Sequence, residues 1–315
     1  MERIPLAVVV GPTGSGKTAL SVRLAKKFGG EVVSADSMQV YKQMEIATAK
    51  PTADEMEGVP HHLVGFLDCG CPFSVAEYVG LAREAIQKIW ERGALPFLVG
   101  GTGLYVSSLL DNLSFEEIAS DPGLRESLLR QLKEEGGESL LAELREFDPE
   151  MADSLHPNNG NRIVRAIEVY RLTGVTMSEH QRRSRRAPSP YKPCAIGLTA
   201  KNRQVLYDRI DMRVDRMMES GLLEEAREVL SHPEIKTAYQ AIGYKELKEY
   251  FEGACTLEEA VATMKRETRR YAKRQLTWFR RDPRIRWLFL DELSGDALFE
   301  AACRKINEEL FGKER

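Results

Sequence analysis

The fold is decided by the stretch Gly11-Pro12-Thr13-Gly14-Ser15-Gly16-Lys17-Thr18, which matches the pattern G-x-x-x-x-G-K-[ST] at every fixed position. The apolar run 4–10 precedes it, as expected of a strand buried on both faces of a parallel sheet, and a helix is predicted over residues 19–28. In that setting glycines let backbone N–H groups converge on phosphate oxygens, and the helix N-terminus favours anions. Lys17 adds a positive charge, and Thr18 can ligate Mg²⁺. The stretch therefore predicts a site for a di- or triphosphate without deciding which one.

Short strands and helices alternate outside this stretch. Ser74 and Glu77 suit a capping box and begin an amphipathic helix that Gly93 stops. Strands that alternate with helices imply an α/β fold with a parallel sheet, here of the P-loop NTPase-like kind. Besides the first, the predicted strands are residues 31–35, 96–99, 194–198 and 286–290.

Helical periodicity replaces this alternation from about Ser114 to Pro190. The simplest interpretation is a helical insertion domain, residues 114–190, that interrupts a P-loop core made of residues 1–113 and 191–315. After the insertion we expect a helix over 203–230, a second near 239–251, and a long one from Thr256, which suits a capping box with Glu259. A terminal helix follows the last strand.

Composition limits the class of protein. The chain has 315 residues, of which 43% are hydrophobic, and 45 Lys+Arg against 48 Asp+Glu give a net charge of −3. This excludes a disordered chain, and no run approaches the ~18 apolar residues of a membrane span. The five cysteines are scattered and form no C-x-x-C, which argues against a disulfide scaffold and a thiolate zinc site. We expect a cytoplasmic monomer with no membrane segment.

Several classes of phosphate-binding protein compete at this point. A GTPase is expected to carry Asn-Lys-x-Asp, and the dipeptide Asn-Lys never occurs. A small-molecule kinase remains open, with Arg182–Arg186 as a lid, and so does a transferase that acts on RNA. A non-catalytic RNA-binding module is a further alternative, but it leaves the phosphate loop unexplained.

Six further motifs decide among these classes. With the phosphate loop and in this order, they make the chain resemble the bacterial tRNA dimethylallyltransferases from Pro5 to about Arg281. That family transfers a dimethylallyl group from dimethylallyl diphosphate to the N6 amine of the adenosine just 3′ of the tRNA anticodon. One departure is Ala47, where a glycine is usual. The motifs are Asp36-Ser37-Met38-Gln39-Val40-Tyr41-Lys42, Thr48-Ala49-Lys50-Pro51, Pro60-His61-His62-Leu63, Gly100-Gly101-Thr102-Gly103-Leu104-Tyr105, residues 161–169 and residues 272–280.

The resemblance implies roles for individual residues. An exocyclic amine is a weak nucleophile, so Asp36 is the expected base, unless it only holds water on Mg²⁺. Thr102 is expected to touch the reacting region, unless it is a plain turn residue, and Lys17 to neutralise the leaving diphosphate. The implied diphosphate-binding residues are Gly11, Pro12, Thr13, Gly14, Ser15, Gly16, Lys17, Thr18 and Arg213, with Mg²⁺ on Thr18. The implied tRNA contacts are Asp36, Ser37, Met38, Gln39, Thr102, Arg125, Gly160, Asn161, Arg162, Ile163 and Val164.

Two basic runs leave alternatives open. Residues 265–281 carry eight basic side chains and one acid, and residues 181–186 read Gln-Arg-Arg-Ser-Arg-Arg. Each run either contacts RNA phosphates or is a solvated surface, and for the second run a soluble linker fits equally.

Overall fold

The computed structural model describes residues 3–115, 121–185, 187–232, 241–293 and 295–312. These residues divide into two compact units. The core unit holds the residues up to Leu110 and those from Ser189 onwards, and the helical unit is Asp111–Pro188. Among the described residues, no helix is long and apolar enough to cross a membrane.

The core unit is built on a parallel sheet of six strands in the order β3-β2-β4-β1-β5-β6. This confirms the predicted parallel α/β core and all of the predicted strands. The two-residue β3, which has no hydrophobic pattern, was not predicted. The strands are β1 Ile4–Val10, β2 Gly30–Ser34, β3 His61–His62, β4 Leu95–Gly100, β5 Tyr191–Thr199 and β6 Ile285–Phe289.

Helices cover the sheet and form the helical unit. In chain order they are α1 Lys17–Phe28, α2 Ala53–Met56, α3 Val75–Glu91, α4 Gly103–Leu110, α5 Pro122–Glu135, α6 Gly137–Phe147, α7 Pro149–Ser154, α8 Gly160–Thr173, α9 Met177–Ser184, α10 Arg203–Glu219, α11 Leu222–Leu230, α12 Tyr244–Phe251, α13 Leu257–Phe279 and α14 Gly295–Phe311. The capping boxes predicted at Ser74 and Thr256 are both present.

The apolar side chains of the sheet point alternately to its two faces, as the two-residue period of a strand requires. Ala7 and Val9 of β1 pack in the cluster that contains residues of α1 and α14. Leu6 and Val8 pack in the cluster that contains residues of α3 and α4. Both faces of β1 are therefore buried, which is why this strand is continuously apolar.

The helix predicted over residues 203–230 is two helices. The chain turns at Gly221, whose φ of +97° is a conformation that glycine adopts without strain, so α10 ends at Glu219 and α11 begins at Leu222. Of the helix predicted near residues 239–251, residues 239–240 lie outside the described part, and α12 begins only at Tyr244.

The strand predicted from Cys194 begins earlier, at Tyr191, and includes Pro193. Proline lacks the N–H that a ladder needs, so it is confined to positions with a neighbour on one side only. β5 pairs with β1 from Tyr191 onwards, whereas its pairing with β6 starts at Ala195. Pro193 therefore lies in the part of β5 that has one neighbouring strand.

The helical unit has its own apolar core, to which Leu128, Leu140, Leu144 and Ile167 contribute fully buried side chains. The basic run 181–186 is not a linker, because α9 continues through Ser184. Residue 186 itself lies outside the described residues.

Candidate active site

The site is formed by the loops that follow three neighbouring strands. β4 lies between β2 and β1 in the sheet, and all three are parallel, so their carboxyl ends meet at one edge. Ligands of α/β proteins bind at this edge. The phosphate loop follows β1, Asp36 follows β2, and Thr102 follows β4.

The phosphate loop turns directly into α1. Gly14 and Gly16 have φ angles of +77° and +81°, which side chains with a Cβ adopt only with strain. Lys17 is the first residue of α1, and its Nζ donates to the carbonyl oxygen of Pro12 at 2.8 Å. The Oγ of Ser15 is buried without a hydrogen-bond partner. The loop therefore offers unsatisfied polar groups at a helix N-terminus, where an anion is favoured.

Asp36 organises the loop after β2. Its Oδ1 accepts hydrogen bonds from the backbone N–H groups of Met38 at 2.9 Å and Gln39 at 3.4 Å. The Gln39 amide in turn donates to the carbonyl oxygens of Thr48 at 3.3 Å and Ala49 at 3.1 Å. The predicted Asp-Ser-x-Gln motif thus forms a fixed turn, and the Gln39 side chain supports a neighbouring segment.

Thr102 joins the loop after β4 to the loop after β2. Its hydroxyl accepts from the backbone N–H of Ser37 at 2.9 Å and donates to the Ser37 hydroxyl at 3.3 Å. Its own N–H donates to the carbonyl oxygen of Ala35 at 3.0 Å. Among the described residues, Thr102 does not line either of the two cavities described next. These hydrogen bonds connect the loop after β4 to the loop that carries Asp36.

A cavity of about 320 Å³, here called the Asp36 cavity, lies at this edge of the core unit. It brings together eight of the residues predicted from the sequence. It is also lined by Tyr271, Arg274 and Gln275 of α13. The eight predicted residues are Thr13, Lys17, Thr18, Asp36, Ser37, Met38, Gln39 and Arg213.

A second cavity of about 890 Å³, the phosphate-loop cavity, shares part of this lining. Lys17, Thr18 and Arg213 line both cavities. The phosphate-loop cavity has five basic and two acidic side chains in its wall, so it attracts anions. These side chains are Lys17, Lys50, Arg209, Arg213 and Arg216, with Glu45 and Glu55.

Burial disfavours the charged forms of two basic side chains of the site, and a bound anion would favour them. Burial, and then the charge of Arg213, lower the pKa of Lys17 to about 8, while the charge of Asp36 opposes this. Burial also lowers the pKa of Arg213, again opposed by Asp36. Desolvation disfavours the charged forms, and a nearby negative charge restores them. Lys17 and Arg213 are therefore placed to bind an anion.

Gln275 lies within the motif 272–280, but no role in the site was predicted for it. Its Oε1 accepts from the backbone N–H of Thr13 in the phosphate loop at 2.9 Å. Its Nε2 donates to the carbonyl oxygen of Gly101 at 2.9 Å, and a Cβ at Gly101 would collide with this amide. The available signal was a glutamine on the buried stripe of α13, because Ala272 and Phe279 flank it on the same face.

Among the described residues, no group of three or more His, Cys, Asp or Glu side chains could hold a metal ion. Mg²⁺ suits this site in another way, because it keeps several waters and often binds through one protein ligand together with substrate phosphates. The hydroxyl-bearing Thr18 and the carboxylate of Asp36 line the same cavity. The residues present therefore fit Mg²⁺ that arrives with a diphosphate.

Comparisons with known proteins agree with this geometry. A family profile described as IPP transferase matches residues 39–282, and one described as isopentenyl transferase matches residues 4–64. The chain belongs to the IPP transferase family. A tRNA dimethylallyltransferase of Halalkalibacterium halodurans is 48% identical over 310 residues, which cover 98% of this chain and 97% of the relative. That of Bacillus subtilis is 49% identical over 284 residues, 90% of each chain.

Solved structures of the IPP transferase family share the fold. A crystal structure of a tRNA isopentenylpyrophosphate transferase from Bacillus halodurans has a TM-score of 0.72 at 45% identity and covers 97% of both chains. A eukaryotic dimethylallyltransferase acting on tRNA has a TM-score of 0.83 at 30% identity, covering 99% of this chain and 80% of that one. The P-loop NTPase-like fold is confirmed, and the small-molecule kinase is not favoured.

The basic run 265–281 of this IPP transferase is not a uniform charged face. Arg269 contacts Asp211 at 2.6 Å, and Lys265 contacts Asp215 at 2.5 Å, so the run ties α13 to α10. The Arg274 guanidinium lies over the ring of Tyr271, 5.6 Å from its centroid. Lys265 and Arg269 therefore join α13 to α10, and Arg274 lines the Asp36 cavity.

The remaining predicted tRNA contacts lie in the helical unit. Ile163 and Val164 are fully buried in its core, so their side chains are closed to RNA. Gly160 permits close packing of α8 on α5, because a Cβ there would meet Leu132 at 2.5 Å. Asn161 and Arg162 are exposed. Gln181, Arg182 and Arg185 of the second basic run are exposed as well.

Arg125 is anchored by an acid that the sequence analysis did not single out. Its Nη1 contacts Glu168 Oε2 at 3.0 Å, and Nη1 of Arg165 contacts the same oxygen at 2.8 Å. Glu168 is fully buried, whereas both arginines remain partly exposed. In the other basic run, Arg182 pairs with Glu179 at 2.8 Å. Arg125 and Arg182 therefore both already have acidic partners.

The lowered pKa of Lys17 predicts proton uptake on diphosphate binding. With a pKa of about 8, Lys17 is partly neutral in the free protein at that pH, and a bound diphosphate raises the pKa by adding negative charge. Binding of dimethylallyl diphosphate near pH 8 should therefore take up a fraction of a proton, whereas binding well below pH 8 should take up none at Lys17. Calorimetry in two buffers of different ionisation enthalpy measures the uptake. Equal uptake by Lys17→Met would contradict this origin.

Proposed function

We propose that this protein is a tRNA dimethylallyltransferase, which moves a dimethylallyl group from dimethylallyl diphosphate to the N6 amine of the adenosine 3′-adjacent to the anticodon. One observation carries the proposal most directly. Lys17 of the phosphate loop, Arg213 of α10 and the carboxylate of Asp36 line the same cavity, so a phosphate leaving group and an acceptor amine can bind side by side. The names of the full-length relatives support it.

The donor binds through its diphosphate. Lys17 and Arg213 meet the phosphate oxygens, and backbone N–H groups of the phosphate loop add further donors at the start of α1. As the bond between the allylic carbon and the diphosphate oxygen breaks, negative charge grows on the leaving group, where these fixed cations stabilise it. Thr18 would hold Mg²⁺, which when bound would add positive charge beside the leaving diphosphate.

The acceptor binds on the Asp36 side of the same cavity. The N6 nitrogen forms a bond to the allylic carbon, and one of its protons passes to the Asp36 carboxylate. Asp36 is suited to this because backbone N–H groups fix its Oδ1, so the carboxylate keeps one orientation. The products are the prenylated nucleoside, free diphosphate and the proton held on Asp36.

The tRNA must deliver its base out of the stack, because an amine inside a helix cannot reach a cavity lined by the phosphate loop. Exposed Asn161 and Arg162 of the helical unit are the proposed contacts to the RNA backbone, together with partly exposed Arg125. Met38 and Gln39 line the Asp36 cavity, and we propose that they contact the base that enters it.

Product analysis tests this function directly. The protein is incubated with dimethylallyl diphosphate, Mg²⁺ and unmodified tRNA, and the digested nucleosides are analysed by mass. We expect N6-dimethylallyladenosine, and only when all three are present. ATP consumption with a small acceptor and no prenylated nucleoside would instead indicate a kinase, and tRNA binding without any product would indicate a binding module.

The salt dependence of tRNA binding tests the contact at Arg162. If this exposed arginine meets a phosphate, Arg162→Gln should reduce the slope of log K against log salt by ~0.7–0.9. Arg145→Gln is the control, because Arg145 lies in the same unit and pairs with Asp153 at 2.9 Å. Filter binding over a range of salt measures both slopes. If the two variants have equal slopes, Arg162 does not contact a phosphate.

A further inference from the structure

One irregular segment forms part of the wall of both cavities. Residues 45–50 form neither helix nor strand. Ala47 and Thr48 line the Asp36 cavity, Lys50 lines the phosphate-loop cavity, and Ala49 lines both. Here we call residues 45–50 the wall segment. Its position determines the shape of the wall that the two cavities share.

The wall segment is held by a single carboxylate, that of Glu225 in α11. Glu225 Oε2 accepts from the backbone N–H groups of Glu45 at 3.0 Å and Ile46 at 2.7 Å. Its Oε1 accepts from the N–H of Ala47 at 2.9 Å and from the hydroxyl of Tyr244 at 2.7 Å. Three consecutive N–H groups that converge on one anion form a backbone nest, and hydrogen bonds to a charged acceptor are the strong kind.

The sequence of α11 shows why this carboxylate is unusual. The buried face of α11 is formed by Leu222, Ala226 and Val229, and Glu225 lies one turn from both Leu222 and Val229. A charged residue in that position requires partners, and the wall segment together with buried Tyr244 provides them. Glu224, which immediately precedes Glu225, is exposed.

The wall segment needs such an anchor because its conformation is strained. Ala49 has a φ of +45°, in the left-handed region that residues with a Cβ avoid. The turn closes through bonds from Ala49 N to Ile46 O at 2.9 Å and from Lys50 N to Glu45 O at 3.0 Å. Lys50 Nζ donates to the carbonyl oxygen of Lys42 at 2.7 Å, which keeps the ammonium near the turn.

We propose that Glu225 is a positioning residue for the diphosphate: it fixes the wall segment, which lines both the phosphate-loop cavity and the Asp36 cavity. The proposal rests on the proposed function for the identity of the donor. The Glu225 oxygens are engaged by the wall segment and Tyr244, so the carboxylate acts through the segment. A loss of Glu225 should therefore weaken diphosphate binding more than tRNA binding.

The test compares Glu225→Gln with Glu224→Gln, the same change at the neighbouring exposed position. Calorimetry with inorganic pyrophosphate and Mg²⁺, well below the melting temperature of each variant, measures diphosphate binding. Because the amide replaces one acceptor oxygen by a donor that faces N–H groups, Glu225→Gln should raise the pyrophosphate Kd about tenfold. The tRNA Kd should stay within about twofold of the control, because phosphate contacts dominate RNA affinity and the proposed ones lie in the helical unit.

Tyr244→Phe removes one of the four donors and keeps the ring, so it should shift the pyrophosphate Kd in the same direction by a smaller factor. It decides the matter if Glu225→Gln fails to fold. A lower melting temperature with pyrophosphate affinity equal to that of the controls would overturn the proposal and leave Glu225 a packing residue. Pyrophosphate binding can be measured without prenyl transfer. If the wild-type protein leaves tRNA unmodified in the product analysis, the proposed function is refuted independently of this test.

Discussion

Asp36→Asn should slow single-turnover prenyl transfer by about 10²–10⁴, or roughly 3–5 kcal/mol of barrier, because it removes a positioned base. The substitution is matched to the structure. Asp36 uses Oδ1 to accept from the N–H groups of Met38 and Gln39, and an asparagine keeps that oxygen and therefore the turn. Rapid-quench measurement with saturating tRNA and dimethylallyl diphosphate isolates the chemical step from binding.

Binding measurements complete the test of Asp36. The Kd values for pyrophosphate and for tRNA should change little in Asp36→Asn, whereas Asp36→Ala should also loosen the turn. If Asp36 instead only held water on Mg²⁺, a higher Mg²⁺ concentration would restore much of the rate. That restoration, or a rate loss below about tenfold, which is a barrier change of only ~1.4 kcal/mol, would refute the base assignment.

Lys17→Met should lower the rate of prenyl transfer by about 10²–10³, because one fixed cation at the developing charge of the leaving group is lost. Methionine keeps the length and most of the volume of the side chain, so packing near Pro12 is retained. The loss should appear both in the pyrophosphate Kd and in the single-turnover rate, since Lys17 lines both cavities.

Lys27→Met is the matched control, because Lys27 is exposed in the last turn of the same helix. It should leave both quantities unchanged. A Lys17→Met protein with normal pyrophosphate affinity and normal rate would show that Arg213 and the backbone of the loop bind the leaving group without Lys17.

Patterns that are local in sequence predicted the core of the site. The phosphate loop carries its own evidence in eight consecutive residues, and the apolar strands before it and before Asp36 place both at the same edge of the sheet. Hydrophobic period and capping residues likewise predicted α3 and α13, whose capping boxes are both formed. The break at Gly221 escaped because an isolated glycine is tolerated within a helical pattern.

The supporting contacts could not be predicted, because each joins residues far apart in sequence. Gln275 meets Thr13 across 262 positions, and Glu225 meets Ile46 across 179. A glutamine or a glutamate in a helical segment does not indicate which distant residue it will contact. Thr102 is a related case. Its motif predicted a contact with the reacting groups, but it gave no indication that the Thr102 hydroxyl hydrogen-bonds Ser37. The basic runs likewise did not indicate which acidic residues their side chains would pair with, as the ion pair between Arg269 and Asp211 shows.

The position of β1 between β4 and β5 has a consequence for synthesis on the ribosome. This strand is translated before β5, which covers one of its edges and begins only at Tyr191. The side-chain amide that binds the phosphate loop comes later still, from Gln275. For most of translation the nascent chain therefore carries an unpaired apolar strand edge, the kind of surface that chaperones shield and that aggregates when it is left open. A chain truncated before β5 retains the entire phosphate-loop sequence but lacks half the pairing of its central strand, so it should be removed by proteolysis rather than persist as a partial diphosphate binder.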